Sequence, residues 1–236
     1  IDNTPHQYHL VNTPEAIQKL AADLAKQKEF CFDTETTHVE PTQAELVGMS
    51  FAFQSGEAYY VPVPAGKEKA QALVEIFRPV LEDEKITKIA QNLKYDAIVF
   101  KWYGVEIRGA YFDTMVAHYL LEPEMRHGMD YLAETYLSYS PVSIETLIGK
   151  GKGQLNMRDV PVEKVCDYAA EDADITLQLK QFFAPKLAAG GVQELFDTIE
   201  CPLIKVLADL EYEGVRIDSH YLAEYSRDCL GDLRRE

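Results

Sequence analysis

Residues Phe30–Glu40 read FCFDTETTHVE. The apolar start predicts a buried strand over EFCFDTE, and that strand ends in two acids, Asp33 and Glu35, one residue apart. Side chains at i and i+2 of a strand point to the same face, so the two carboxylates converge on one point. Burying two like charges without a partner is costly. Two readings fit: a strand end with two solvated acids, or an oxygen-rich site held rigidly by the core. The FCF run, which drives the strand inward, weighs against the first.

The flanking sequence supplies the rest of an α/β domain. NTPEAIQKLAADLAKQ reads as a helix with Thr13 as N-cap and Pro14 at the first helical position. ELVGMSFAF and EAYYVPV are strand-like runs joined by QSGE, a hairpin signal. KEKAQALVEIFRPVLED reads as a helix, KITKIA as a short strand, and LKYDAIVFKWYG as a helix ending at Gly104. From Asp113 onward the pattern is mostly helical, broken at SYSPVS and GKGKGQ. A long helix starts at Pro161. Another follows with Pro202 inside it, then a short VRI strand, then a last helix capped by Asp218. The spacing places a domain boundary near Gly190–Gly191.

Composition bounds the function. A chain of 236 residues with 47% hydrophobic residues should bury roughly 70–75% of its unfolded surface without staples. The formal net charge of -16 argues against a general nucleic-acid coat. It leaves room for a nuclease, because metals bound by carboxylates supply local positive charge. Cys31, Cys166, Cys201 and Cys229 form no CxxC pair and no zinc spacing, so they read as buried or incidental thiols of a reducing compartment. No apolar run reaches the about 18 residues of a membrane span. GKGKG at Gly149–Gly153 lacks P-loop spacing and reads as a flexible loop or one that meets phosphate. The first residue is not Met and DCLGDLRRE stops within a helical pattern, so a piece of a longer chain is expected.

Two more acids draw notice. Asp96, in QNLKYDAIVF, taken alone reads as an exposed acid near a helix N-terminus, with Tyr95 beside it as packing. Tyr168 and Asp172, in DYAAEDADITLQL, are four apart on a helix and share a face. Asp174 points elsewhere, and EDAD by itself reads as one more solvated acidic face. His118 and His127 read as surface or satisfied core histidines.

The order D-x-E, N-x-x-x-D, Y-x-x-x-D resembles the DEDD exonucleases of the tyrosine branch. The words FDTET, QNLKYD, FDTM, GKGK and YAAEDADITLQL are similar to the 3'→5' exonuclease domain of family A DNA polymerases, the bacterial DNA polymerase I type. IECPLIKVLADLEYEGVRID resembles the start of the polymerase thumb in that family. The resemblance implies an α/β, RNase H-like mixed sheet with flanking helices over residues 1–190, and a helical segment over 191–236 that begins a truncated thumb.

It also implies a proofreading enzyme that removes nucleotides from single-stranded DNA 3' ends with two ions, Mg²⁺ or Mn²⁺, Zn²⁺ being possible at the first site. Asp33 would bridge the ions, Glu35 and Asp172 complete the first, and Asp96 support the second through water. Tyr168 would orient the attacking water. Thr34 and Thr36, beside the acids, with Gln91 and Asn92, would touch the strand. The family wedges an apolar side chain between the last two bases, and the matching residue is Val39, where Leu is common. A second, aromatic, contact matches Ile144. Both departures weaken stacking, worth about 1–3 kcal/mol per base on aromatics. The implied setting is a cytoplasmic, nucleoid-associated bacterial monomer with DNA and a polymerase domain in cis as partners, and no membrane. An exoribonuclease of the RNase D type and a catalytically silent exonuclease-fold scaffold are the alternatives.

Overall fold

A computed structural model describes residues 5–233. The described residues include six strands: β1 (Gln7–Leu10), β2 (Glu29–Thr36), β3 (Leu46–Gln54), β4 (Glu57–Pro62), β5 (Thr87–Ala90) and β6 (Tyr111–Asp113). They form one mixed sheet in the order β1-β4-β3-β2-β5-β6. β2 runs antiparallel to β3 and parallel to β5, so the strand with the paired acids lies inside the sheet, as expected. β3 and β4 form the hairpin foreseen at QSGE, with Gly56 at φ 80° supplying the turn.

Helices α1 (Pro14–Leu24), α2 (Lys67–Leu81), α3 (Leu93–Trp102) and α4 (Thr114–Leu121) follow the sequence pattern. Thr13 caps α1 by accepting from the Ala16 N–H at 3.3 Å. Next come α5 (Met129–Leu132), which runs into a π-helical turn at Ala133–Leu137, then α6 (Ile144–Ile148) and the 28-residue α7 (Val162–Ala189). The chain ends with α8 (Gln193–Leu195), a π-helical turn at Phe196–Glu200, α9 (Cys201–Glu213) and α10 (Ser219–Leu233).

The alternation of β2 sorts these helices onto two sides. Phe30, Phe32 and Thr34 face one way. The Phe32 ring packs edge-on against Phe100 of α3 at 5.8 Å, and Phe51 of β3 stacks on Phe77 of α2 at 5.0 Å. Cys31, Asp33 and Glu35 face the other way, where α7 lies across the sheet from β1 to β5. Helices therefore cover both faces, which is the α/β layering expected.

One local expectation needs correction, and two short strands were not foreseen. β1 and β6 are strands of 4 and 3 residues, too short for period-2 patterning to show, and each is fixed by pairing at a sheet edge. Pro202 lies, as expected, inside one continuous helical run over 193–213; it falls in the first turn of α9, directly after the π-helical turn at Phe196–Glu200. Residues 215–217, read as a VRI strand, form none, and Val215 is 81% exposed. They pair with no strand of the sheet, and an unpaired strand is not stable. Asp218 does cap α10, accepting from the Tyr221 N–H at 2.9 Å.

α7 ends at Gly190, and Gly191 takes φ 70°. The chain then turns back onto the same core: Phe196 is fully buried, 4.9 Å from the Phe112 ring, and Cys201, Ile204 and Ala208 of α9 are buried too. Ion pairs from Lys94 and Lys101 of α3 reach Glu211 and Asp209 of α9. The outward face of α9, with Leu203, Val206, Leu207 and Leu210, is exposed.

Candidate active site

Strand β2 and helix α7 bring three carboxylates together. One oxygen from each of Asp33, Glu35 and Asp172 lies within 4.8 Å of the others. Glu35 and Asp172 are buried. Burial and mutual repulsion push Glu35 and Asp172 well above the usual carboxylate range. Burial alone raises Asp33 to about 7, against a restraining hydrogen bond from the Thr34 backbone. Tyr168, one turn before Asp172, is half-buried and stands beside the Asp172 carboxylate. Burial and the neighbouring acids hold that hydroxyl firmly protonated.

Asp96 is not the exposed acid its local sequence suggested. It is buried at the start of α3, and its carboxylate accepts a short hydrogen bond from the Thr34 hydroxyl. Thr34 faces the α3 side of β2, so Asp96 comes from that side and stands outside the group of three, yet near enough to Asp33 that burial and the Asp33 charge push it well above the usual carboxylate range. α3 begins at Asn92, which holds φ 61°, a left-handed conformation Asn tolerates better than most residues. Asp113, the N-cap of α4, accepts from the N–H groups of Met115 and Val116 and also from those of Asn92 and Leu93. One buried carboxylate thus starts both helices.

Beside the acids opens a cleft of about 660 Å³. Thr34, Glu35, Thr36 and Val39 line one wall, and Ile144 and Ile148 of α6 the other. Val39 is 90% exposed and Ile144 41%, so both apolar contacts expected from the resemblance face open space. Gln91 and Asn92 are not among the lining residues. Gln91 donates to the His127 carbonyl at 2.8 Å and accepts from Thr114, so its side chain is engaged inside the fold. Neither Lys nor Arg lines the cleft among the described residues.

Several residues of the site were missed from sequence. Tyr95, read as packing, lines the cleft and bonds the Thr36 hydroxyl and the His38 carbonyl. Gln154, Leu155, Asn156 and Met157 form the cleft's third side, pinned where Asn156 donates to the Thr37 carbonyl at 3.1 Å. The only signal was their place after the glycine-rich GKGKG, part of which forms a 3-10 turn at Gly151–Gly153. EDAD is not a solvated face: Glu171 and Asp174 are both buried. Asp174 accepts from the Gly56 N–H at 2.8 Å and the Tyr8 hydroxyl at 3.0 Å, holding β1 and the hairpin turn to α7. His118 is the satisfied core histidine expected, with His127 Nδ1 at 2.7 Å and Tyr136 Oη at 2.9 Å.

A family model described as 3'-5' exonuclease matches residues 8–188. The chain belongs to the 3'-5' exonuclease family. Among curated relatives, DNA polymerase I of Pseudomonas aeruginosa is 39% identical over 216 residues, covering 87% of this chain and 24% of that protein. DNA polymerase I of Rhizobium leguminosarum is 35% identical over 234 residues, covering 89% and 23%. The exonuclease chain thus spans about a quarter of the length of these relatives. Among solved structures, the Brucella melitensis NrnC matches with TM-score 0.70 at 22% identity, covering 92% of this chain and 100% of that one. The POL domain of Pol1 from M. smegmatis matches with TM-score 0.74 at 18% identity, covering 96% and 36%. These likenesses confirm the fold, an RNase H-like exonuclease sheet.

The exonuclease's acid cluster fits a divalent metal. The three converging donors are all carboxylate oxygens, the set that hard cations such as Mg²⁺ and Mn²⁺ prefer. Neither His nor Cys joins the group, so nothing in it selects Zn²⁺. Like charges this close and this buried need a cation between them to stay ionised together.

Proposed function

We propose that this exonuclease removes nucleotides one at a time from the 3' end of single-stranded DNA, as the proofreading part of a DNA-directed DNA polymerase used in replication and repair. The observation that carries the reading is the meeting of Asp33, Glu35 and Asp172 beside a cleft that Glu35 also lines. Asp33, Glu35 and Asp172, with Asp96 through water, would hold two Mg²⁺ or Mn²⁺ ions. When bound, such ions stabilise the charge on the attacking and leaving oxygens of an in-line displacement at phosphorus. Tyr168, beside Asp172, would orient the attacking water. Thr36 holds the terminal nucleotide by hydrogen bond. Val39 enters between the last two bases, and Ile144 closes against the sugar and base from the other wall. A duplex end cannot spread between these walls until it frays, which favours single strands.

Residues 1–190 would form the exonuclease domain and 191–236 the beginning of a polymerase thumb. The exposed apolar face of α9 supports this, since a longer chain of the relatives' size would cover it. The setting proposed is the bacterial cytoplasm, with the chain acting as a monomer.

Incubation with end-labelled single-stranded DNA and RNA, with Mg²⁺ and with EDTA, tests the reading. Release of 3'-terminal mononucleotides from DNA alone, and only with metal, supports it. Preferential release from RNA would make the protein an exoribonuclease, and no release at all would make it a scaffold.

A further inference from the structure

We propose that Glu171 is a positioning residue that sets the Ile144 wall of the substrate cleft; this rests on the exonuclease reading above. Glu171 is 0% exposed in the middle of α7, next in sequence to Asp172. Its two oxygens leave the helix and reach a single loop: one accepts from the Tyr139 hydroxyl, the other from the Val142 N–H at 2.7 Å. That loop, residues 138–143, has no helix or strand of its own. It begins at Ser138, a non-glycine residue at φ 52°, and it ends at Ser143, which caps α6.

Ile144 is the first residue of α6, two positions beyond the Val142 N–H that Glu171 holds. Ile148, at the other end of the same short helix, is buried against the cluster that contains Tyr168. A helix of 5 residues has little stability of its own, so its place is set by what grips its two ends. One end is gripped by packing and the other by the buried Glu171 side chain. A left-handed serine persists only where its surroundings over-determine it, and the Glu171 bonds supply that constraint one turn away. Because Glu171 and Asp172 ride on the same rigid turn of α7, the wall that receives the terminal base is indexed directly to the acids that receive the phosphate.

The test uses single-turnover cleavage of a short DNA strand by the full chain, with the strand concentration varied. Glu171→Ala frees the loop, so the half-saturating DNA concentration should rise about tenfold while the rate at saturation falls less than about threefold. Glu171→Gln can accept from Val142 and donate to the Tyr139 oxygen, and it should restore half-saturation to within about twofold. Tyr139→Phe removes one of the two bonds and should fall between them. A second readout needs no activity: chymotrypsin cleavage after Tyr139 should quicken in Glu171→Ala and not in Glu171→Gln. Unchanged half-saturation in Glu171→Ala overturns the proposal. So does a loss confined to the rate at saturation, which would place Glu171 with the metal site instead. A wild-type chain inert on DNA would sink the exonuclease reading on its own account. Unchanged chymotrypsin cleavage in Glu171→Ala would then overturn the anchor separately.

Discussion

The Thr34 hydroxyl donates to the Asp96 carboxylate from the side of β2 opposite to the two acids that flank Thr34 in sequence. The strand therefore works on both faces: odd positions 33 and 35 meet α7, and position 34 fixes the acid that comes from α3. Thr34→Val keeps the shape and removes the donor. A buried acceptor left without its partner costs about 1–3 kcal/mol, and urea unfolding should show a loss of that size. In a double-mutant cycle with Asp96→Asn the two losses should fall short of adding. Full additivity would mean the two groups do not interact.

Asp172→Ala removes one of the three converging donors and should abolish hydrolysis at any Mg²⁺ concentration tried. Tyr168→Phe keeps the ring and deletes the hydroxyl. If that hydroxyl orients water, the rate should fall within the roughly 10²–10⁴-fold span of proton-transfer catalysis, near its low end because the metal donors remain. Single-turnover rates with Mg²⁺ varied separate the roles. A Tyr168→Phe defect that extra Mg²⁺ repairs would move the tyrosine into the metal site, and no defect would remove it from the mechanism.

Metal-free stability should fall as pH rises. Asp33 titrates from its ordinary 3.8 up to about 7 in the fold. The folded state therefore binds more protons than the unfolded chain between those values, and stability decreases with pH there. The favourable contribution is complete below about pH 4 and is lost as pH passes through about 7. In EDTA, the difference in Tm between Asp33→Asn and wild type should grow in favour of the variant across that window. Adding Mg²⁺ at pH 7.5 should stabilise the wild type and leave Asp33→Asn little changed.

Binding of single-stranded DNA should have a shallow salt dependence. Each neutralised phosphate adds about -0.7 to the log–log slope, and no Lys or Arg lines the cleft among the described residues. A slope no steeper than about -2, measured in Ca²⁺ to limit cleavage, is expected on that basis. A slope several times larger would reveal a basic track outside the cleft.

Gly48 lies opposite Glu35 in the β2–β3 pair. A Cβ there would stand 2.2 Å from the ring of Tyr60, which is 1% exposed. Gly48→Ala must therefore displace Tyr60 from the cluster it shares with Tyr168. Overpacking of this kind costs roughly 1–3 kcal/mol, and the exonuclease rate should fall with it. Unchanged stability by urea titration would show that the ring moves freely.

The parts of this site that a sequence reveals are those whose geometry is local. Asp33 and Glu35 converge because a strand alternates, and Tyr168 and Asp172 share a face because a helix turns, so both pairs were readable from spacing. The burial of Asp96 depends on Thr34, more than sixty residues earlier, and on which side of the sheet α3 docks. Glu171 and Asp174 looked solvated because their partners, Tyr139, Val142, Tyr8 and Gly56, come from distant loops and strands. The same limit hid β1 and β6, which exist only as edges of a sheet. Gln91 was legible only as a matching word; that His127 and Thr114 engage its side chain depends on segments well after it in the chain.

The 28-residue helix α7 has a mechanical consequence. Its site end carries Tyr168 and Asp172, and its far end carries Leu187, buried in the core just before the break at Gly190–Gly191. The fifteen residues from Asp172 to Leu187 span about 22 Å at 1.5 Å rise per residue. The helix is thus a lever with its fulcrum where the chain turns back through residues 192–213 onto the core. A tilt of about 3° at that fulcrum moves the Asp172 carboxylate by about 1 Å, a misplacement that can cost about 10²-fold in rate. The packing of Phe196, Cys201, Ile204 and Ala208 just after Gly191 therefore bears on the position of the acids without touching the cleft, by how tightly it clamps the far end of one rod.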